Sequence, residues 1–442
     1  MSNLSLRNCF SAVYLPWIVL VVLGGHWLYF VSNYSVDVLF HDQWDLYNPM
    51  FGESGFFEAF FYQHGPHRQG VGGVLTYYLA RGTGFSVIAE SYMIASFLVF
   101  SAALCLSLKR RLFSAASIWD LSIPLIVLNP VQVGTVIMVP NISHSVLPLF
   151  FLFCVGHCWI SRNSTVRFAA ASAIAALSLF TGFGIFVYIG FAVLFLSDWI
   201  MSIRSDWRSD LPFRGFALIV LILAAIIFST EYRWDPANDE MVFPHEPWSD
   251  YVVFVNYMFG RFIFISKVAR PYLGMVLLIG SLAVCVYTAC RFFLNSKSRV
   301  FSIALLALST SFGFIAMAAI GRVSLGVDGG GSSRYFTLVT PIVVSVYFIL
   351  SEIVSEQSKR AILLFAGFSL LVGISYVSNT VYADHKLSPV MEGKQRWIES
   401  YGELRETAMA NVQSDFSIYP DPLAIESRIR FLEDSQLSAF RD

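Results

Sequence analysis

The chain has 442 residues, 56% of them hydrophobic and only 13% charged, with a mean hydropathy of +0.64 and a net charge of −1. An ordinary soluble chain is about half apolar, and a globule of this length has too little interior to hide the excess. The composition therefore excludes a water-soluble fold and predicts an all-α, polytopic membrane protein. With no basic run longer than Lys109-Arg110-Arg111, it also gives no footing for a nucleic-acid partner.

In chain order, Val13–Phe30 is the first membrane-length segment, and no small-residue cleavage site follows it, so it is expected to remain as an anchor. A span needs about 20 mostly apolar residues. Eleven candidates appear near 13–32, 87–108, 117–134, 144–160, 165–181, 183–200, 214–230, 271–294, 300–320, 335–351 and 360–379. Pro124 and Pro130 threaten the third, which neighbouring helices can tolerate by satisfying the freed backbone. If the N-terminus lies inside, 14 of the 29 basic residues fall in short inner segments and eight in the outer loops. That asymmetry predicts a cytoplasmic N-terminus and a working face outside. The chain then divides into a transmembrane domain over 1–379, with outer loops 33–86, 231–270 and 321–334, and a helical tail over 380–442. In the tail, Ile425, Ile429 and Leu432 are expected to form a buried stripe against the outer loops, and Trp397, Tyr401, Leu404 and Ala408 one face of an earlier helix.

The six cysteines avoid the long polar loops, which argues against a disulfide framework. Cys154, His157 and Cys158 share a helical face, but in an apolar run where Cys is ordinarily a small buried hydrophobe. Loop 33–86 gathers Asp37, His41, Asp42 and Asp45, then Gln63-His64-Gly65-Pro66-His67-Arg68. Asp42 and Asp45 are candidate general bases toward a sugar hydroxyl, since a partly desolvated carboxylate gains basicity. A divalent cation, Mg or Mn, is the other use of such a pair. Pro66 favours a turn leading into a helix over Val71–Leu79. Arg68, with His67, then sits near a helix start where backbone N–H groups favour an anion, and phosphate is the natural ligand. Zinc held by His41, His64 and His67 is the competing reading, without an obvious fourth ligand. Arg322 and Arg334 bracket the glycine-rich loop. The loop lacks a Walker A ending, but two arginines at a membrane mouth suit a lipid-linked phosphate, with Ser332-Ser333 as added donors and Asp328 as a salt-bridge partner.

Three short motifs carry a family resemblance: Asp42-Gln43-Trp44-Asp45 after the first span, His64-Gly65-Pro66-His67-Arg68 before the next helix, and Ser333-Arg334-Tyr335 at a late span. Together with the closing Tyr419-Pro420-Asp421-Pro422 and Leu437-Ser438-Ala439-Phe440, they resemble bacterial GT-C superfamily glycosyltransferases, in particular phage-type serotype-converting O-antigen glucosyltransferases. The resemblance implies a GT-C-like fold in the bacterial inner membrane. It also implies a polyprenyl-phosphate-linked hexose donor (glucose) and a lipid-linked glycan acceptor such as O-antigen on the periplasmic side. On this reading Asp42 is the base and Asp45 the second choice. His67, Arg68, Arg322 and Arg334 bind the donor phosphate, and Trp44, His64 and Tyr335 contact substrate, with Trp44, Tyr47 and Tyr335 stacking on sugar. Gln43 stands where relatives carry a second carboxylate, and Gly65-Pro66 where many carry an acidic residue, so no resident metal is assigned. A lipid-linked glycan flippase or other transporter, an O-antigen polymerase and a non-enzymatic assembly protein are the rival classes.

Overall fold

Apolar runs that must leave no backbone group unpaired in lipid can cross it only as helices or closed barrels. The computed structural model describes residues 3–52, 54–114, 116–202, 210–233, 243–294, 298–354, 359–404 and 416–441. Among the described residues the fold is helical, with one hairpin of two-residue strands. Eight helices among the described residues are long and apolar enough to cross a membrane: Tyr14–Tyr34, Val87–Phe113, Gly182–Ser202, Leu211–Ser229, Arg270–Leu294, Arg299–Leu325, Ser333–Val354 and Lys359–Tyr401. Each coincides with one of the eleven expected spans.

The other three expected spans take different forms. Segment 117–134 breaks into a 3-10 turn (Ile118–Leu121), a short helix (Ser122–Val127), a second 3-10 turn (Pro130–Gln132) and a π-helical turn (Gly134–Met138). Side chains satisfy the freed carbonyls: Trp27 Nε1 donates to Leu128 O at 2.8 Å, and Gln132 Nε2 to Val127 O at 2.7 Å. Val146–Trp159 and Thr165–Leu179 are shorter apolar helices packed inside the bundle. His144, placed by sequence at the start of a span, instead lies in the turn before Val146–Trp159.

Charges at the far end of the bundle pair within the protein. Lys109 Nζ meets Asp120 Oδ1 at 2.7 Å, both buried, and Tyr347 OH donates to Asp120 Oδ1. Asp198 holds Arg167 at 3.0 Å and Arg214 at 2.8 Å.

At the other end stands a second hydrophobic core, separate from the bundle's. It joins Val36, Leu39, Phe40, Trp44, Tyr47 and Met50 of the first loop to Ile418, Ile425, Ile429 and Leu432 of the tail. The expected stripe of Ile425, Ile429 and Leu432 is thus buried against the first loop. The boundary at 379/380 is not a break in the chain: Lys359–Leu404 is one helix of 46 residues running through Pro389. At 1.5 Å per residue it measures ~69 Å, about twice a bilayer's hydrocarbon thickness. Trp397 and Tyr401 meet at a tilt and both pack edge-on against Phe440. The Leu404 side chain and Ala408 lie outside the described residues. Within the first loop a short helix, Phe56–Phe61, exposes Phe56, Phe57 and Phe61 and packs Phe60 on Phe180.

Candidate functional site

Gly65 and Pro66 turn the chain between Gln63-His64 and His67-Arg68, pairing His64 with His67, and helix Gly70–Thr83 follows. Gly65 adopts φ +54° at the turn. Tyr232 OH donates to Pro66 O at 2.9 Å, docking the hairpin on the 229–233 loop. Alternate strand residues face opposite ways, which separates His67 from Arg68.

Arg68 does not face an anion site. Its Nε donates to Phe228 O at 3.2 Å, its Nη1 to Phe61 O at 2.9 Å, and its Nη2 to Thr230 O. Phe228 and Thr230 close helix Leu211–Ser229, whose last carbonyls lack intrahelical partners. The guanidinium also lies 5.5 Å from the Phe61 ring and 5.7 Å from the Phe228 ring. Arg68 is therefore a helix C-terminal cap, buried at 4% exposure, and the expectation that it binds phosphate is corrected.

His67 turns to the other side and meets two residues from distant turns. Its ring centroid is 5.0 Å from that of His144 and 4.9 Å from that of Phe183, with His144 and Phe183 4.6 Å apart. Ser143 ties these turns together: its Oγ donates to Gln69 O at 3.0 Å, and its carbonyl accepts from Phe183 N–H at 3.2 Å. Gly182, at φ +44°, makes the approach possible, because a Cβ there would sit 2.2 Å from Ser143 O. Burial first, then Arg322 and His64, push His67 down to about 3. Burial first, then His67, His64, Arg334 and Arg322, push His144 well below the usual imidazole range. Both imidazoles are neutral at physiological pH.

Arg334 lies in the Ser333–Tyr335 turn, seated on the π-helical turn at Gly134, where a Cβ would come 2.2 Å from Ser333 Oγ. Its Nη1 stands 3.7 Å from Asp42 Oδ2, and both side chains are about half exposed. Asp42 begins helix Gln43–Leu46 and offers no side-chain cap to it. One region thus unites Asp42, Arg334, Arg322, His64, His67 and His144, residues from 42 to 334 in sequence. Asp328 meets Lys267 at 3.8 Å rather than either bracketing arginine.

Three other expected site residues have structural places. Asp45 accepts Tyr419 OH at 3.1 Å and Arg428 Nη1 at 3.4 Å, fastening the tail to the loop. Trp44 is 1% exposed and stacks on Phe51, with ring centroids 6.2 Å apart, so its faces are closed to a sugar. Tyr335 is 5% exposed between Phe254 and Phe314, which corrects its assignment as a sugar platform. Tyr47 is likewise buried, its hydroxyl donating to Glu90 Oε2 at 2.7 Å. Gln43, at the position of the missing carboxylate, faces inward and donates to the same Glu90 oxygen at 3.2 Å.

Among the described residues no three His, Cys, Asp or Glu side chains are arranged to hold a metal ion. His41 packs edge-on against Phe40, and the charges acting on it are Asp42 and Lys394 rather than the other histidines. The residues therefore do not fit a zinc site built on His41, His64 and His67.

Sequence reasoning missed His144 and Asn141. The signal was the polar run Asn141-Ile142-Ser143-His144-Ser145 interrupting two apolar stretches. The arrangement is rich in donors beside one exposed carboxylate, which suits an anionic ligand and a proton acceptor next to it. No protein-family model and no curated protein matches the chain.

Proposed function

We propose that this protein is an inverting glycosyltransferase of GT-C type. It moves a hexose, glucose by the resemblance, from a polyprenyl phosphate carrier to a lipid-linked glycan such as O-antigen. The observation that carries the reading is the pairing of Asp42 with Arg334 beside Arg322 and two neutral histidines, at the end of a membrane-spanning bundle. A donor phosphate at the membrane edge meets the arginines and accepts from His67. Its negative charge competes with Asp42 for Arg334 and releases the carboxylate. Asp42 then takes the proton of the acceptor hydroxyl as its oxygen attacks the anomeric carbon. The bond from that carbon to the phosphate oxygen breaks, and the phosphate leaves with the electron pair, its charge held by Arg322 and Arg334. Attack opposite the leaving group inverts the anomeric centre.

In this reading the first loop and the tail face the periplasm, the N-terminus is cytoplasmic and the membrane is the bacterial inner membrane, as the distribution of Lys and Arg supports. The charges at Asp120 and Asp198 are paired with cations of the protein itself and stand at the far end. They therefore lend nothing to an ion-coupled transporter, which needs ionisable groups along its path. The test compares surface glycan from cells expressing the wild type and Asp42→Asn at equal protein level. Loss of the added hexose is expected. Identical glycan from both removes Asp42 as the base.

A further inference from the structure

Asn141 and His144 form a small self-contained device. The His144 backbone N–H donates to Asn141 Oδ1 at 3.1 Å, which fixes the orientation of the amide. Its other end, the Nδ2 donor, then lies 2.6 Å from His144 Nδ1. A ring nitrogen that accepts from an amide N–H cannot carry a proton itself, so the neutral imidazole bears its proton on Nε2. That atom is buried and, among the described residues, meets no hydrogen-bond partner. The charged and titratable groups acting on the ring are His67, His64, Arg334 and Arg322, none of which offers a carboxylate. A buried N–H without an acceptor is costly unless a ligand supplies one.

We propose that His144 is a binding residue for an anionic phosphoryl group, with Asn141 as its positioning residue: the locked Nε2–H donates to a phosphate oxygen between Arg322 and Arg334. This deepens the glycosyltransferase reading and rests on it for the ligand's prenyl tail, but the hydrogen-bond geometry stands independently of the sugar chemistry. Because the donor is neutral, it orients the phosphate without adding to the positive charge already supplied by two arginines. It also discriminates a phosphate oxygen from a group that can only donate.

The test uses the full-length protein in detergent and three substitutions at one position. Glutamine places an amide N–H near the position of Nε2, asparagine places one near Nδ1, and alanine places none. Binding of farnesyl phosphate, inorganic phosphate and farnesol is measured by calorimetry for each. The expected result is affinity for farnesyl phosphate reduced about tenfold in His144→Ala and His144→Asn, and within about threefold of wild type in His144→Gln. Farnesol should bind none of them measurably. Asn141→Leu, which frees the tautomer, should fall between. Unchanged affinity in all three His144 variants, or a glutamine variant as weak as alanine, overturns the role. Inorganic phosphate binding as tightly as farnesyl phosphate overturns the lipid-linked source. Loss of glycosyl transfer is scored separately: prenyl phosphate binding that depends on His144 in a protein without transferase activity defeats the enzymatic reading and leaves this one standing.

Discussion

The second core and the basic cluster are neighbours, yet they treat their polar groups in opposite ways. In the second core the carboxylates have their partners: Asp45 has Tyr419 and Arg428, Glu90 has Tyr47, Gln43 and Thr76, and Asp37 caps helix Val87–Phe113 through the Ile88 N–H. In the cluster, Asp42 has one long contact to Arg334, and the His144 Nε2–H has none. Asp42 and Asp45 are three residues apart in one short turn, yet only Asp45 is held by close partners and Asp42 is the more exposed. A side chain's type and spacing mark where chemistry is conceivable. For these two carboxylates, the completeness of the hydrogen bonds separates framework from candidate site.

The strongest way to break this contrast sets Asp42 against Asp45. Asp42→Asn should lower glycosyl transfer about 10²–10⁴-fold with the melting temperature unchanged. Asp45→Asn should destabilise by ~1–2 kcal/mol, with transfer per folded molecule close to wild type. Equal activity losses at equal stability would erase the distinction.

A smaller effect separates the two arginines. Arg334→Gln should raise KM for the prenyl-phosphate donor about tenfold. Arg68→Gln should instead reduce the yield of folded protein, because it strips three backbone carbonyls of their donor. A pure KM effect from Arg68→Gln would restore it to the phosphate site.

The histidines sharpen the comparison through pH. His67 and His144 have folded pKa values below their unfolded value near 6.5, with His67 at about 3. The unfolded chain therefore takes up protons as pH falls through 6.5 while the folded chain does not, and stability declines from about pH 6.5 toward pH 3. Melting temperatures in detergent across pH 8 to 5 should show the decline, weakened in a His67→Phe, His144→Phe variant. A flat profile would mean that the rings take up protons in the folded state as readily as in the unfolded chain.

The smallest effect belongs to Tyr419→Phe, which removes one hydroxyl from Asp45. About 0.5–1.5 kcal/mol of stability should go, measurable by thermal shift, with transfer intact.

The spans whose apolar character runs for 18 residues or more were legible in sequence, because length and hydropathy alone determine them. So was the turn at Gly65-Pro66, a local matter of backbone freedom. The buried stripe of Ile425, Ile429 and Leu432 followed from helical period. What could not be read depends on long-range contacts. Nothing near Arg68 announces that Phe228 and Thr230 would present carbonyls to it. Likewise, Trp44 resembles a sugar platform until Phe51 and the tail cover it. His144 escaped notice because it begins an apolar run, and only the turn at Gly182 brings it to His67. The broken segment over 118–138 was legible as a weak span but not as the seat of Arg334.

The clamp on Asp45 also has a consequence in time. Its partner Tyr419 lies 374 positions later in the chain. At ~5–20 residues per second, a ribosome takes roughly 20–75 s to travel from one to the other. Throughout that interval the second core that shapes the first loop is incomplete. Maturation of the first loop is thus a late event in biosynthesis, and a nascent chain stalled before residue 416 holds the spans without the finished loop.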